Sequence, residues 1–427
     1  MHIWPPQDQV LWYLKRITQP ACRENISTDV AIIGGGMAGL SAAHAFHNKG
    51  KKVVLLEQYY CGSGASGKSS GFITPNAELS FTDFSRMYNR DIARTIWDFI
   101  TSGTHDIRNN ITRYQLACDY APQNTLMVAN TQRALKNLAI EYTNLAHAGY
   151  KTAFYTTDTI RQHIGSNGYC GGVGYADTFC INSYLYCQEM KQILQKAGVL
   201  IFEDTAVTGM HDHTITTPHA DITADYIIVC TDRFMPQLGL LTQTVYQVQT
   251  FLMISEQLTD EQVRTIFPQD NLLAWDSDLV YNYFRMTPNQ QLLLGGGSLL
   301  TTYATHTQHE SSYMFKKLIR YFEKKFPGLN IQFKQMWPGL IGLSKDIAPI
   351  AGRDKDKPFL YYIAACAGLP IAAALGRYSA ENLLEGNTAL DDYFSPYRSF
   401  AIGGMAQSIL GTKLTFALCN SMKKFMP

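Results

Sequence analysis

The sequence predicts an α/β protein in which a Rossmann-like unit is interleaved with an antiparallel-sheet α+β unit. Three observations carry this. Residues 29–58, DVAIIGGGMAGLSAAHAFHNKGKKVVLLEQ, read as strand, glycine-rich turn, helix and second strand. Short continuous apolar runs, of the kind a parallel sheet buries on both faces, recur in the middle of the chain and near its end. Between them, residues 246–297 alternate with the period of two expected of antiparallel strands.

Bulk properties narrow the class. The 427 residues exceed one ordinary core. Apolar residues make up 46% and charged residues 17%, which argues against a disordered chain. Thirty-six basic residues nearly balance thirty-five acidic ones, so nothing in the charge points to nucleic acid as a partner. Nine scattered cysteines, none in a CxxC pair, indicate neither a zinc site nor a disulfide framework. They fit reduced thiols in a cytoplasmic protein. His211, His213 and His219 lie in a polar stretch, and no metal is expected. Prolines and charges interrupt residues 1–20, so no secretion signal is read. No apolar run reaches the ~18 residues of a spanning helix.

In chain order, 1–27 form an extension with Trp4, Trp12 and Tyr13 as anchors. VAII is the first strand, Gly50 ends the first helix, and VVLLE is the second strand. Residues 62–75, GSGASGKSSGFITP, read as a small-residue loop. Residues 80–110 read as helical, 111–190 as mixed, and 184–197 as a helix ended by Gly198. Strands are expected at 199–207 and 225–231, an amphipathic helix at 312–326, a buried strand at 360–366 and a last helix at 371–385.

Gly34, Gly36 and Gly39 satisfy G-x-G-x-x-G. The first permits a tight turn, the second lets backbone approach a pyrophosphate, and the third lets helix pack on strand. Phosphates would sit on the amides opening the helix, around Met37 and Ala38, where the dipole favours anions. Glu57, with Gln58 beside it, ends the second strand where an acid accepts hydrogen bonds from ribose hydroxyls. This motif alone does not choose between NAD and FAD.

Two more segments bear on that choice: WPGLIGLSKDIAPIAG (337–352) and AACAGLPIAAALGRYSAENLLEG (364–386). With the opening motif and its following loop, they resemble the D-amino-acid oxidase superfamily, especially its glycine oxidase, sarcosine oxidase and gamma-glutamylputrescine oxidase branch. The resemblance runs from about residue 29 to residue 386. It implies an FAD-binding domain and a flavin oxidoreductase. It places Gly64, Ala65, Ser66, Lys68, Ser69 and Ser70 beside the ring, Val207 near the adenine, and Cys230, Thr231, Gly342 and Asp346 around the cofactor. Gly368, Leu369, Pro370 and Ile371 open a helix toward the flavin pyrimidine. The loop 62–71 would equally suit a flexible glycine–serine linker. The family often has Gly-His-Gly where this chain has Gly-Leu-Pro, and Ala-Thr-Gly where Thr231 is followed by Asp232. The loop 62–71 has no histidine and 331–345 no cysteine, so the FAD is expected to be noncovalent.

In LVYNYFRM (279–286), Tyr281, Tyr283 and Arg285 share one face of an alternating strand and are candidates for holding a substrate carboxylate. The same pattern suits a plain cross-strand ladder with a surface arginine. The implied reaction is hydride transfer from a small amine or amino acid to flavin N5, giving an imine that hydrolyses, with oxygen or a quinone as final acceptor. No acid or base is assigned. Alternatives are an electron-transfer flavoprotein working with a quinone or protein partner, and an RNA-modifying flavoenzyme.

The domain division is an extension (1–27), FAD-binding segments (28–110, 184–235, 335–395), substrate-domain segments (111–183, 236–334) and a tail (396–427). In the tail, Ala406, Leu410, Leu414, Leu418 and Met422 recur every four residues near Lys413, Lys423 and Lys424. This predicts an amphipathic helix over 404–426 that docks on the protein body or a second subunit, or lies on a membrane as a peripheral contact.

Overall fold

A computed structural model describes Val10 and residues 19–75, 78–303 and 312–425. Trp4, Trp12 and Tyr13 lie outside the described residues. Five parallel strands form the centre of the first sheet, in the order Leu200–Phe202, Val53–Leu56, Ile26–Ile33, Asp221–Val229 and Leu360–Ala364. Ile350–Arg353 pairs antiparallel beyond the last of them, and the hairpin Gly209–His211/Thr214–Thr216 extends the first half of Asp221–Val229. Val30–Ile33 and Val53–Leu56 are buried on both faces: Val30, Ile32, Val53 and Leu55 pack with the helices, and Ala31, Ile33, Val54 and Leu56 pack with Ile215 of the hairpin and Met235.

The second sheet runs Phe333–Ser344, Val245–Gln257, Gln291–Gly296, Tyr283–Met286, Leu273–Asp276, Thr125–Val128, Gly172–Tyr175 and Thr152–Tyr155. Its strands are antiparallel except where Leu273–Asp276 meets Thr125–Val128. The two sheets thus draw on alternating stretches of the chain.

Several elements differ in extent from their sequence reading, each for a local reason. The strand expected at 199–207 stops at Phe202, because Asp204 takes a left-handed conformation (φ 49°). Glu203 turns inward there and receives the Cys61 N–H at 2.8 Å and the Lys191 ammonium at 3.0 Å. The strand expected at 225–231 spans 221–229, since Asp232 is also left-handed (φ 49°) and opens a 3-10 helix. The loop 62–75 contains the short helix Ala65–Lys68 and the strand Phe72–Ile73, which pairs with Phe179–Cys180. The helical stretch 80–110 is two helices, Phe81–Met87 and Arg90–Tyr114, because Ser80 and Asn89 each cap a separate start. The alternating region 246–297 also holds a helix, Asp260–Ile266, opened by a Thr259/Gln262 capping box. Of the strand expected at 279–286, only Tyr283–Met286 pairs.

Three helices on one face of the parallel sheet meet through glycines. A Cβ on Gly376 would lie 2.4 Å from the Ala38 carbonyl oxygen, and one on Gly103 would lie 2.0 Å from that of Pro370. The glycine-turn helix Met37–Asn48, the long helix Arg90–Tyr114 and the last helix Leu369–Glu385 therefore pack at backbone distance. Among the described residues, no helix is long and apolar enough to cross a membrane.

Candidate active site

Every parallel strand ends on the same edge of the sheet, and the residues that follow are Gly34, Glu57, Glu203, Cys230 and Ala365. That carboxyl edge is where open α/β sheets bind ligands. Gly34 has φ +108°, and a Cβ there would meet the Cys230 carbonyl oxygen at 2.7 Å. A Cβ on Gly39 would lie 1.9 Å from the Gly34 carbonyl oxygen. The glycines are thus required by close backbone approach. Gly36 caps the helix without a side-chain bond, and the Met37 N–H donates to Ser66 Oγ at 2.9 Å.

Glu57 is buried. Its two oxygens accept the Gly35 N–H at 2.7 Å and the Tyr59 N–H at 3.0 Å. A carboxylate has about four acceptor sites, so capacity remains for a ribose hydroxyl. Burial pushes its pKa above 4.5, and the Gly35 and Tyr59 amides pull the other way. Glu57→Leu is expected to weaken flavin binding about a hundredfold, from the loss of one or two charge-assisted hydrogen bonds. Titration of the apoprotein with FAD checks this. In the wild type, affinity should fall with decreasing pH as Glu57 protonates and loses acceptor strength. With a raised pKa, that fall starts at higher pH than for an ordinary glutamate.

The loop after Glu57 is tied down at several points. Trp337 Nε1 donates to the Lys68 carbonyl at 3.0 Å, and Ser69 Oγ bonds Ser183 Oγ at 3.0 Å. Arg285 donates to the Ser70 carbonyl. These contacts make 62–71 a shaped loop and give the tryptophan of the second segment a physical role. Gly64 opens the short helix facing open space, and Ala65 follows it there.

The third segment arrives at the same edge. Gly368 opens the helix Leu369–Glu385 with Pro370 in its first turn and no side-chain cap. Asn89, Thr131 and Asn182 cap the helices Arg90–Tyr114, Gln132–His147 and Ser183–Lys196, whereas Gly36 and Gly368 give the helices Met37–Asn48 and Leu369–Glu385 no side-chain cap, and Ser66 Oγ accepts only the first amide of the former. Helix N-termini without a capping side chain keep free amides and favour negative groups. Thr231 Oγ1, on the adjoining turn beyond Cys230, is buried without a hydrogen-bond partner. Two open anion sites, glycines at backbone distance and an orphan hydroxyl fit a dinucleotide whose phosphates and ring carbonyls need donors. Met37, Ala38, Leu369 and Ile371 lie in these first helical turns.

Other expected residues are placed less directly. Gln58 and Val207 are half-buried near the edge. Gly342 donates its N–H to Asp232 at 2.6 Å, so its role is in holding that turn. Asp346 is committed to Arg398, Ser344 and the Ala348 amide.

The tyrosines and the arginine of the candidate substrate face part company. Arg285 is buried, and its guanidinium donates to the carbonyls of Ser70, Ile181 and Met286 and to Cys180 Sγ. Those bonds occupy the fork that a substrate carboxylate would need, so Arg285 acts as a brace between the loop 62–71 and the sheet. Neither a surface position nor a bidentate grip describes it. Tyr281 precedes the paired strand, and its hydroxyl donates to Glu78 Oε1 at 2.7 Å. The Tyr283 ring lies 5.9 Å from that of Tyr281 and 6.0 Å from Phe72. It spreads over Gly295, where a Cβ would lie 2.2 Å from Tyr283 Cζ. Burial, then the Glu78 charge, holds the Tyr281 hydroxyl well above its usual pKa, and burial pushes Tyr283 up to about 12. Both phenols are therefore protonated donors at neutral pH. Glu78 was not identified from sequence, and a lone glutamate in a loop offers no pattern to find; Trp337 and Asp232 were noted there, as part of the second segment and as a departure from the family pattern, without the contacts they make.

Comparison with known proteins agrees with this geometry. Residues 29–382 match the DAO family model, described as FAD dependent oxidoreductase. Gamma-glutamylputrescine oxidoreductase of Escherichia coli is 27% identical, over 87% of this chain and 87% of that protein. The probable oxidoreductase OrdL of Haemophilus influenzae is 24% identical, over 93% of this chain and 92% of its own length. The crystal structure of glycine oxidase from Geobacillus kaustophilus superposes with a TM-score of 0.76 at 17% identity, covering 89% of this chain and 100% of that one. The chain belongs to the DAO family of FAD-dependent oxidoreductases.

Proposed function

We propose that this oxidoreductase removes hydride from the carbon next to the nitrogen of a small cationic amine or amino acid. The observation that carries this is Glu78 against Tyr281, one ring from Tyr283 and two from Phe72, which follows the flavin loop. A carboxylate beside phenol faces attracts an ammonium group by charge and by cation–π contact. The relatives' names support the class, since putrescine derivatives and glycine are both amines.

FAD, when bound, would supply the hydride acceptor; the substrate ammonium first gives up one proton to water, since only the neutral nitrogen has the lone pair that forms the C=N bond, and the product imine is hydrolysed. The chain's own residues provide orientation. Glu78 and Tyr281 fix the nitrogen end of the substrate, and Tyr283, lying flat over Gly295, forms an apolar wall that excludes water. Trp337 and Arg285 hold the flavin loop against this wall. The FAD is expected to be held without a covalent bond and to leave with the supernatant when the protein is denatured in acid. Oxygen or a quinone completes the cycle.

The test is anaerobic bleaching of the bound flavin with secondary amines and with D-, L- and N-methyl amino acids. Glu78→Gln is expected to raise KM for the best amine about tenfold, the loss of one half-buried ion pair, with flavin affinity unchanged. Failure of every amine to bleach, alongside reduction by a protein donor, would instead establish the electron-transfer reading.

A further inference from the structure

The tail forms two helices, Gly404–Leu410 and Thr412–Phe425, and its polarity is inverted. The face turned to the protein is largely polar. Gln407, Thr415 and Asn420 are buried there with Phe416 and Cys419. Gln407 Oε1 accepts from Lys345 Nζ at 2.8 Å. Asn420 Nδ2 donates to the carbonyls of Ser344 and Lys345 at 3.0 and 2.9 Å, and its Oδ1 accepts from the Tyr303 hydroxyl at 2.9 Å. Of the partners the sequence pattern allows, docking on the body would place Leu410, Leu414, Leu418 and Met422 inward. They face solvent instead, with Met405 and Ile409 about four-fifths exposed. Half of the exposed large apolar side chains among the described residues lie in this one segment.

Specific hydrogen bonds therefore hold an apolar stripe outward. Charge identifies what it meets. Residues 404–427 contain Lys413, Lys423 and Lys424 and no acidic residue, in a chain otherwise close to balance. Without these lysines, thirty-three basic residues would stand against thirty-five acidic ones. Lys413 is exposed beside Leu414. A second copy related by a twofold axis would pair two tails that each carry positive charge and no acid, which repels. An anionic lipid surface satisfies both features. Its headgroups balance the tail's positive charge, and its acyl boundary takes a row of leucine, isoleucine and methionine side chains. We propose that the tail is a surface anchor that docks this enzyme flat on an anionic bilayer.

The full-length flavin-loaded protein should co-sediment with phosphatidylcholine vesicles containing phosphatidylglycerol, and not with phosphatidylcholine vesicles alone. Binding should fall as salt is added. The double variant Leu414→Glu/Leu418→Glu should lower binding at least about tenfold, and Lys413→Glu several-fold. Flavin absorbance and melting temperature should stay unchanged, because these side chains touch solvent. Equal binding to both vesicles, no binding, or variants that bind like the wild type would overturn the proposal. So would a dimer in sedimentation velocity that the double variant dissociates while vesicles capture nothing, which would assign the stripe to a second copy.

Discussion

Gly39→Val is expected to yield protein that carries no flavin and has lost about 3 kcal/mol or more of stability. The argument is steric. Any Cβ at position 39 would lie 1.9 Å from the Gly34 carbonyl oxygen and 3.1 Å from its carbon, and both are backbone atoms that cannot rotate away. The helix Met37–Asn48 would have to withdraw from the strand Ile26–Ile33, and its N-terminus would move with it. That terminus is where the pyrophosphate needs its amides. One substitution therefore acts on packing and on cofactor affinity together. Gly64→Ala is the contrasting control: it has an ordinary φ, and its Cβ would meet nothing within 4 Å. Its stability should stay within about 0.5 kcal/mol of wild type. If Gly64→Ala still lowers flavin affinity, the space in front of it is taken up by the cofactor. Flavin absorbance per protein and urea melts read both variants, and a Gly39→Val protein with full flavin would remove the steric argument.

How legible the molecule was in its sequence depended on whether a residue's role was local. Gly34, Gly36, Gly39 and Glu57 are set by a turn and two strand ends within thirty residues, so spacing alone revealed them. The helix starts at Ser80, Asn89 and Thr259 are local as well, and their capping side chains explain where long helical or alternating readings break. Arg285 was misread because alternation fixes which face a side chain takes and says nothing about what waits there. Its partners Ser70 and Ile181 are more than a hundred residues away. The tail's pattern left body, second subunit and membrane open as partners for a related reason. An apolar stripe at helical spacing normally turns inward, but Asn420 and Gln407 bond to Ser344, Lys345 and Gln243, and those long-range bonds set the rotation of the helices. Glu78 gains its place only because Tyr281, two hundred residues later, is brought against it.

Asp232 is the other position with a large expected effect. The family often has glycine there, and this chain's Asp232 has φ 49°, a conformation that short polar side chains tolerate and most others do not. Its carboxylate accepts the Gly342 N–H at 2.6 Å and the Ala365 N–H at 2.9 Å, and burial pushes its pKa up while these amides and that of Arg233 pull it down. One side chain thus joins the ends of Asp221–Val229, Phe333–Ser344 and Leu360–Ala364, the strands that carry the second and third family segments to the first. Two substitutions separate its roles. Asp232→Gly keeps the backbone conformation and removes the hydrogen bonds, so it should cost about 2–4 kcal/mol for two stranded amides. Asp232→Ala adds the left-handed strain of about 1–2 kcal/mol. Urea melts should show the midpoint falling from wild type to Asp232→Gly to Asp232→Ala with an unchanged slope. Both variants should also bind FAD more weakly, because the turn next to the orphan Thr231 hydroxyl loses its anchor. Wild-type stability in Asp232→Gly would mean that water replaces the carboxylate without loss. The aspartate would then be a tolerated substitute for glycine, and the three strand ends would be held by their ladders alone.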